Sequence, residues 1–148
     1  MYKMSLMFRV VEYATEEYKE ALQLKDDVMR KPLGLCLSED DVKFDNKRIH
    51  IGGYIENELV CGCSLGIIHK KMGHIFSVYV KQSCQNQGIG QQLMAFAEDY
   101  AKQSGVARLY VEGRKTAKNF YLKCGFRPCG SEYVDMNIIH QDMKKDIL

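Results

Sequence analysis

The spacing of apolar residues along the 148-residue chain changes period several times, and each change marks an element. Residues 6–12, LMFRVVE, read as a first strand. Thr15 is then placed to cap a helix running to Met29, with Tyr18, Ala21, Leu22, Val28 and Met29 near helical spacing and Pro32 to stop it. Residues 31–48 hold Gly34, Cys36, Ser38 and the acidic run Glu39-Asp40-Asp41 without a clear period, which predicts a loop or a short irregular helix. Residues 48–55 and 59–68 read as strands joined at Glu56-Asn57-Glu58, and a turn at Lys71-Met72-Gly73 leads into a third strand over residues 75–80. Between Gly88 and Ser104 the period lengthens: Ile89, Leu93, Phe96, Ala97, Tyr100 and Ala101 form one stripe, and Gly105 stands where a left-handed C-terminal cap belongs. Residues 108–113 give the next strand, so the strand-helix-strand order predicts a right-handed crossover and a parallel pair. A short helix over residues 116–124, with Ala117, Phe120, Tyr121 and Cys124 on one face, closes at Gly125, and residues 129–143 alternate loosely enough for two last strands. A meander followed by this unit is an α+β pattern, expected as one domain over residues 1–148.

Composition narrows the setting more than the chemistry. Apolar residues make up 46% and charged residues 27%, which suits a globular chain that buries roughly 68–70% of its unfolded surface. A net charge of +2 gives no reason to expect nucleic-acid binding, and no apolar run has the length of a membrane span or a signal-peptide core. The charge is uneven, however. Residues 1–45 carry ten acidic side chains against seven basic ones, while Arg108, Arg114, Lys115, Lys118, Lys123 and Arg127 face Glu112 alone in residues 107–127. The six cysteines form no CxxC pair and the four histidines no ligand spacing, so no metal is expected. Cys61 and Cys63 fall on one strand face and read as buried free thiols in a reducing, cytoplasmic compartment.

Candidate chemistry concentrates at residues 75–92, IFSVYVKQSCQNQGIGQQ. A β-branched and aromatic strand with one small polar interruption runs into Gln85-Asn86-Gln87-Gly88-Ile89-Gly90 and then a helix. Glycines there let backbone N–H groups approach an anion at the positive end of the helix, which suits a phosphate or pyrophosphate. Gly90 is followed by Gln91-Gln92 rather than the Lys-Ser or Lys-Thr of a Walker loop, and position 93 is Leu where a dinucleotide fingerprint has a third glycine or alanine.

Gln85, Gly88 and Gly90 resemble the acetyl-CoA signature of the GNAT superfamily of N-acyltransferases, Gln/Arg-x-x-Gly-x-Gly/Ala. Further along, Ala117, Phe120-Tyr121, Lys123 and Gly125-Phe126 resemble the C-terminal signature of the same superfamily. Gly113-Arg114 and Ile139-His140-x-x-Met143 are similar to the Ala-Arg and Pro-His-x-x-Met pairs of the small ElaA-like bacterial branch, with Gly113 and Ile139 replacing the alanine and the proline. The resemblance implies a mixed, mostly antiparallel central sheet with flanking helices, splayed at a parallel pair to form a cleft for coenzyme A. In such a fold the backbone near Val78, Tyr79 and Val80 pairs with the pantetheine arm of acetyl-CoA, the co-substrate, and residues 85–90 (Gln85, Asn86, Gln87, Gly88, Ile89 and Gly90) hold the pyrophosphate. Arg114 stands where many relatives place a pantetheine-binding asparagine, and Lys81, Lys115 and Lys118 are candidates for the remaining phosphates.

The implied reaction moves an acetyl group to a primary amine of a small molecule or peptide. An amine with a pKa near 10 costs about 4 kcal/mol to deprotonate at neutral pH, so a base is expected, together with an oxyanion donor and an acid for the leaving thiolate. Tyr121 occupies the family's acid position, a backbone N–H near Val80 is the expected oxyanion donor, and Glu112 and His140 are the candidates for the base. Asp40 and Asp41 suit attracting a cationic amine. Two other readings follow from the same sequence: a CoA-binding sensor without turnover, and an RNA- or protein-binding domain using the basic stretch at residues 107–127. Exposed last strands would allow a homodimer.

Overall fold

A computed structural model describes residues 5–69 and 71–148. Eight strands follow in the order β1 (Leu6–Val11), β2 (Ile49–Ile55), β3 (Glu58–His69), β4 (Met72–Val80), β5 (Arg108–Arg114), β6 (Arg127–Pro128), β7 (Tyr133–Asp135) and β8 (Ile138–Asp146). The helices are α1 (Glu16–Met29), α2 (Glu39–Val42), α3 (Ile89–Gln103) and α4 (Lys118–Lys123). Hydrogen bonding orders the strands β1-β2-β3-β4-β5-β8-β6, with β7 also on β8; β4 and β5 run parallel and the other pairings described are antiparallel. This is the mixed α+β sheet expected from the sequence.

The chain groups into two compact units, one reaching Leu65 and including Ser77–Leu93, the other comprising Gly66–Phe76 and Met94–Leu148. In the first, Thr15 caps α1 by accepting from the Tyr18 N–H at 3.2 Å, as its side-chain chemistry predicts. The buried face of α1 is Tyr18, Ala21 and Lys25, packed with Val11, Tyr54 and Leu59. Lys25 is a surprise on an apolar face; burial lowers its proton affinity while Asp45 and Asp41 oppose the loss. Residues 31–48, which have no period, nevertheless hold α2, because Ser38 and Asp41 form a reciprocal capping box. Cys61 and Cys63 are buried and free, with the Cys61 thiol pushed up to about 12 by burial.

In the second unit, Ile75, Leu109, Val111 and Met143 are almost fully buried. Two sequence expectations change here, and a third is extended. Met72 and Gly73 belong to β4 rather than to a turn, since the parallel register with β5 already starts at Met72↔Arg108. The two last strands expected from residue 129 on are β7 and β8, parted by the Met136-Asn137 turn at positive φ, and a two-residue β6 that the pattern does not show precedes them. The helix expected over residues 116–124 starts as a 3₁₀ turn at Lys115–Ala117 and becomes α-helical only at Lys118. The longest of the last strands, β8, is flanked by β5 on one side and by β6 and β7 on the other, so it is not an exposed edge.

Candidate active site

The first group of site residues lies on β4 and the turn after it. Among the described residues the register of β4 with β5 ends at Ile75↔Val111, although β4 runs on to Val80. Ser77 follows at φ 55°, a left-handed conformation inside a strand, which is the mark of a bulge. Its one sequence signal is the small polar residue in an otherwise apolar run. Tyr79 is buried, with its phenol packed over Gly62, so what this residue offers a ligand is its backbone. Val78 and Val80 are half-buried.

Beyond the strand, glutamine side chains hold the turn from within. Gln85 Nε2 donates to the Val80 carbonyl at 2.9 Å and Gln87 Nε2 to the Ser83 carbonyl at 3.3 Å. Asn86 and Gly88 both take positive φ, at 63° and 78°. A Cβ at Gly88 would meet nothing within 4 Å, so the backbone there borders open space. Ile89 is buried and anchors the first turn of the 15-residue α3, whose leading N–H groups have no partner within the helix. Gly90 is the second residue of that turn. A loop held from within, with glycine backbone bordering open space at a helix N-terminus, is the kind of place where an anion can approach unpaired N–H groups. Of the candidates for the remaining phosphates, Lys81 pairs with Glu58 and Lys115 with Glu132 at 3.3 Å, both ion pairs open to solvent.

The second group is carried by β5, α4 and β8. Tyr121 on α4 is buried, with its ring against Phe120 and Phe126 at centroid distances of 5.1 and 5.9 Å. A Cβ at Gly113 would lie 3.0 Å from the Tyr121 ring, so this glycine, where the ElaA-like pattern has alanine, makes room for it. Strand alternation then settles the direction of Glu112, which sequence alone left open. Gly113 faces Tyr121, so Glu112 faces the other side, together with Tyr110 and Arg114. The register sets Glu112 opposite Asp142 and Arg114 opposite His140.

On that outer face His74 Nε2 lies 4.0 Å from Glu112, and His140 stacks on Tyr133 with its Nδ1 2.9 Å from the Ile138 carbonyl. The Glu112 carboxyl is raised above the ordinary range by burial first, then by the carboxylates of Asp142 and Asp135, with His140 pulling the other way. The sheet therefore brings the two candidate bases together on one face and puts the phenol on the other. Lys118 is the first residue of α4 and is half-buried. Asp142, which accepts from two tyrosines, has no motif to announce it. Asp41 is not available to attract an amine: Arg30 holds it at 2.9 Å and keeps its carboxyl down at about 2. The basic stretch is partly neutralised as well, since Asp146 takes both Arg108 and Arg127.

With a mixed sheet, a bulged β4 and a phosphate-type turn before α3, the fold and site define an acyl-CoA-dependent acyltransferase. The chain belongs to the acetyltransferase (GNAT) domain family, whose pattern matches residues 43–147. Its fold is similar to that of an acyl-CoA N-acyltransferase from Pseudomonas aeruginosa, at 21% identity over 97% of this chain and 99% of that one, with a TM-score of 0.82. It is similarly close to Escherichia coli ElaA, at 21% identity over 97% and 100% of the two chains and a TM-score of 0.81. A GNAT acetyltransferase from Elizabethkingia anophelis with acetyl-CoA bound matches at 18% identity over 95% and 97%, with a TM-score of 0.73. Acetyl-CoA is the co-substrate of such enzymes, and among the described residues no helix is long and apolar enough to cross a membrane.

Proposed function

We propose that the protein transfers the acetyl group of acetyl-CoA to a primary amine of a small molecule or peptide, with Tyr121 as the acid and Glu112 as the base. The observation that carries the reading is the turn at residues 85–90, where Gly88 at φ 78° borders open space at the start of α3. There the backbone of residues 85–90 holds the pyrophosphate, while Val78, Tyr79 and Val80 present strand backbone to the pantetheine amides. A backbone N–H near Val80 stabilises the oxyanion. Arg114 and Lys118 contribute charge to the same ligand.

Glu112 removes a proton from the acceptor ammonium, the freed amine nitrogen forms the new C–N bond at the thioester carbonyl carbon, and the C–S bond breaks. Tyr121 gives its proton to the departing thiolate. A carboxyl with raised proton affinity and a half-exposed side chain is better matched to the first step than an ordinary surface glutamate. His140, stacked on Tyr133 on the same face, orients the acceptor or passes the proton on to solvent.

The test is free-thiol release from acetyl-CoA across a panel of primary amines, for the wild type and for Glu112→Gln. Turnover with at least one amine, reduced on the order of 10²-fold or more in the variant, is the expected result. Wild-type binding of acetyl-CoA with no turnover on any amine would return the sensor reading.

A further inference from the structure

The sheet face that carries Glu112 holds more carboxylate than one base requires. Asp142 sits directly opposite it on the neighbouring antiparallel strand, a position in which like charges oppose each other. Asp142 is held in place by two phenols from different strands: Tyr110 of β5 donates to Oδ2, and Tyr133 of β7 donates to Oδ1 at 2.7 Å. Both oxygens are thus acceptors, and the carboxylate is held from two sides. Burial and the bond to Asp142 push both phenols up, so they remain donors throughout the neutral range.

Among the described residues Glu112 has no such pair of donors; His74 Nε2 lies 4.0 Å from it. The Glu112 side chain is 53% exposed. The other charged or titratable groups turned to this face are His74 from β4, Arg108 and Arg114 on its own strand, His140, Lys144 and Asp146 from β8, Arg127 from β6 and Asp135 from β7. We propose that Asp142, fixed by Tyr110 and Tyr133, is a positioning residue that makes Glu112 the proton acceptor for the incoming amine. The proposal rests on the reading of Glu112 as the base. Asp142 touches neither amine nor acetyl-CoA in this scheme; it acts by holding a carboxylate opposite Glu112, which makes a proton on Glu112 more favourable. The raised proton affinity of Glu112, to which Asp142 contributes after burial, agrees with the geometry.

The experiment is the pH dependence of kcat/KM for thiol release, measured on the wild type, Glu112→Gln and Asp142→Asn, with ¹³C NMR titration of the Glu112 carboxyl carbon in the wild type and Asp142→Asn. Loss of the acidic limb in Glu112→Gln, and its displacement to lower pH in Asp142→Asn together with the Glu112 carbon titration, is the expected outcome. A smaller loss of plateau rate in Asp142→Asn than in Glu112→Gln should accompany it. An acidic limb that survives Glu112→Gln would remove the base assignment itself. A limb lost in Glu112→Gln but unmoved in Asp142→Asn, with an unmoved carbon titration, would overturn the role of Asp142 alone. If Asp142→Asn does not fold, Tyr133→Phe keeps the carboxylate and removes one donor. With one of its two anchors gone Asp142 is held less firmly opposite Glu112, so the Glu112 carbon titration should move to lower pH, and an unchanged curve would overturn the proposal.

Discussion

Replacing Gly62 by alanine tests how tightly the strand that carries Tyr79 is set. A Cβ at position 62 would lie 2.3 Å from the Tyr79 Oη, 2.6 Å from its Cζ and 2.9 Å from the Ile51 carbonyl oxygen. The ring cannot swing into water without unburying itself, since Tyr79 is 6% exposed, and the carbonyl belongs to a strand paired along its length with β3. Overpacking of this kind costs about 1–3 kcal/mol, and with a backbone atom among the contacts the upper half of that range applies. For a domain of this size, about 2–4 °C is lost per kcal/mol, which gives a drop of roughly 5–10 °C in Tm. The assay is thermal and urea unfolding of Gly62→Ala, Tyr79→Leu and the double variant. If the ring is what the new methyl strikes, the alanine costs at least ~1 kcal/mol less in the Tyr79→Leu background than in the wild type. Additivity within about 0.5 kcal/mol would show that the methyl and the ring do not meet.

Three more perturbations follow from other parts of the molecule. Tyr121→Phe should lower kcat by about 10²-fold or more while leaving the acetyl-CoA dissociation constant within about twofold, as read by steady-state kinetics and calorimetry. Asp41 has its folded-state proton affinity depressed, so its contribution is complete above the ordinary carboxylate range and is lost as pH falls toward about 2. That contribution is about 2 kcal/mol, and Asp41→Asn should flatten urea-unfolding stability between about pH 5 and pH 2 by a similar amount. Thr15→Ala should cost about 1 kcal/mol through loss of the cap on α1, measured by the same unfolding experiment.

What could be read in the sequence is what depends on local spacing. The cap at Thr15, the stripe on α3 and its Gly105 terminus are short-range patterns, and each is found where the pattern puts it. The turn at residues 85–90 was legible for the same reason, because glycine spacing and a helix start lie within a few residues of each other. Long-range register was not. Whether Glu112 faced Tyr121 or turned away depended on the pairing of β5 with β8 and on the contact of Gly113 with the ring, neither of which leaves a trace in periodicity. Asp142 and its two phenols were missed for that reason: Asp142 meets Tyr110 through register and Tyr133 through a hairpin. The ion pairs of Lys81 with Glu58 and of Asp41 with Arg30 leave no local signal either, since the partners are 23 and 11 residues away. The bulge at Ser77 lies between these cases, signalled by a polar residue in an apolar strand but given meaning only by where the β4 register stops.

Calorimetric titration of acetyl-CoA into the wild type, Gly88→Ala and Gly88→Glu puts the pyrophosphate assignment at stake. Alanine keeps the open space but takes on the cost of a left-handed φ, on the order of 1–2 kcal/mol, whereas glutamate adds a negative charge beside the expected pyrophosphate. Saturable binding by the wild type, weaker binding by Gly88→Ala and none detectable by Gly88→Glu, with all three folded, is the expected result. Equal binding by the glutamate variant, or no binding by the wild type, would contradict the assignment of residues 85–90 to the pyrophosphate.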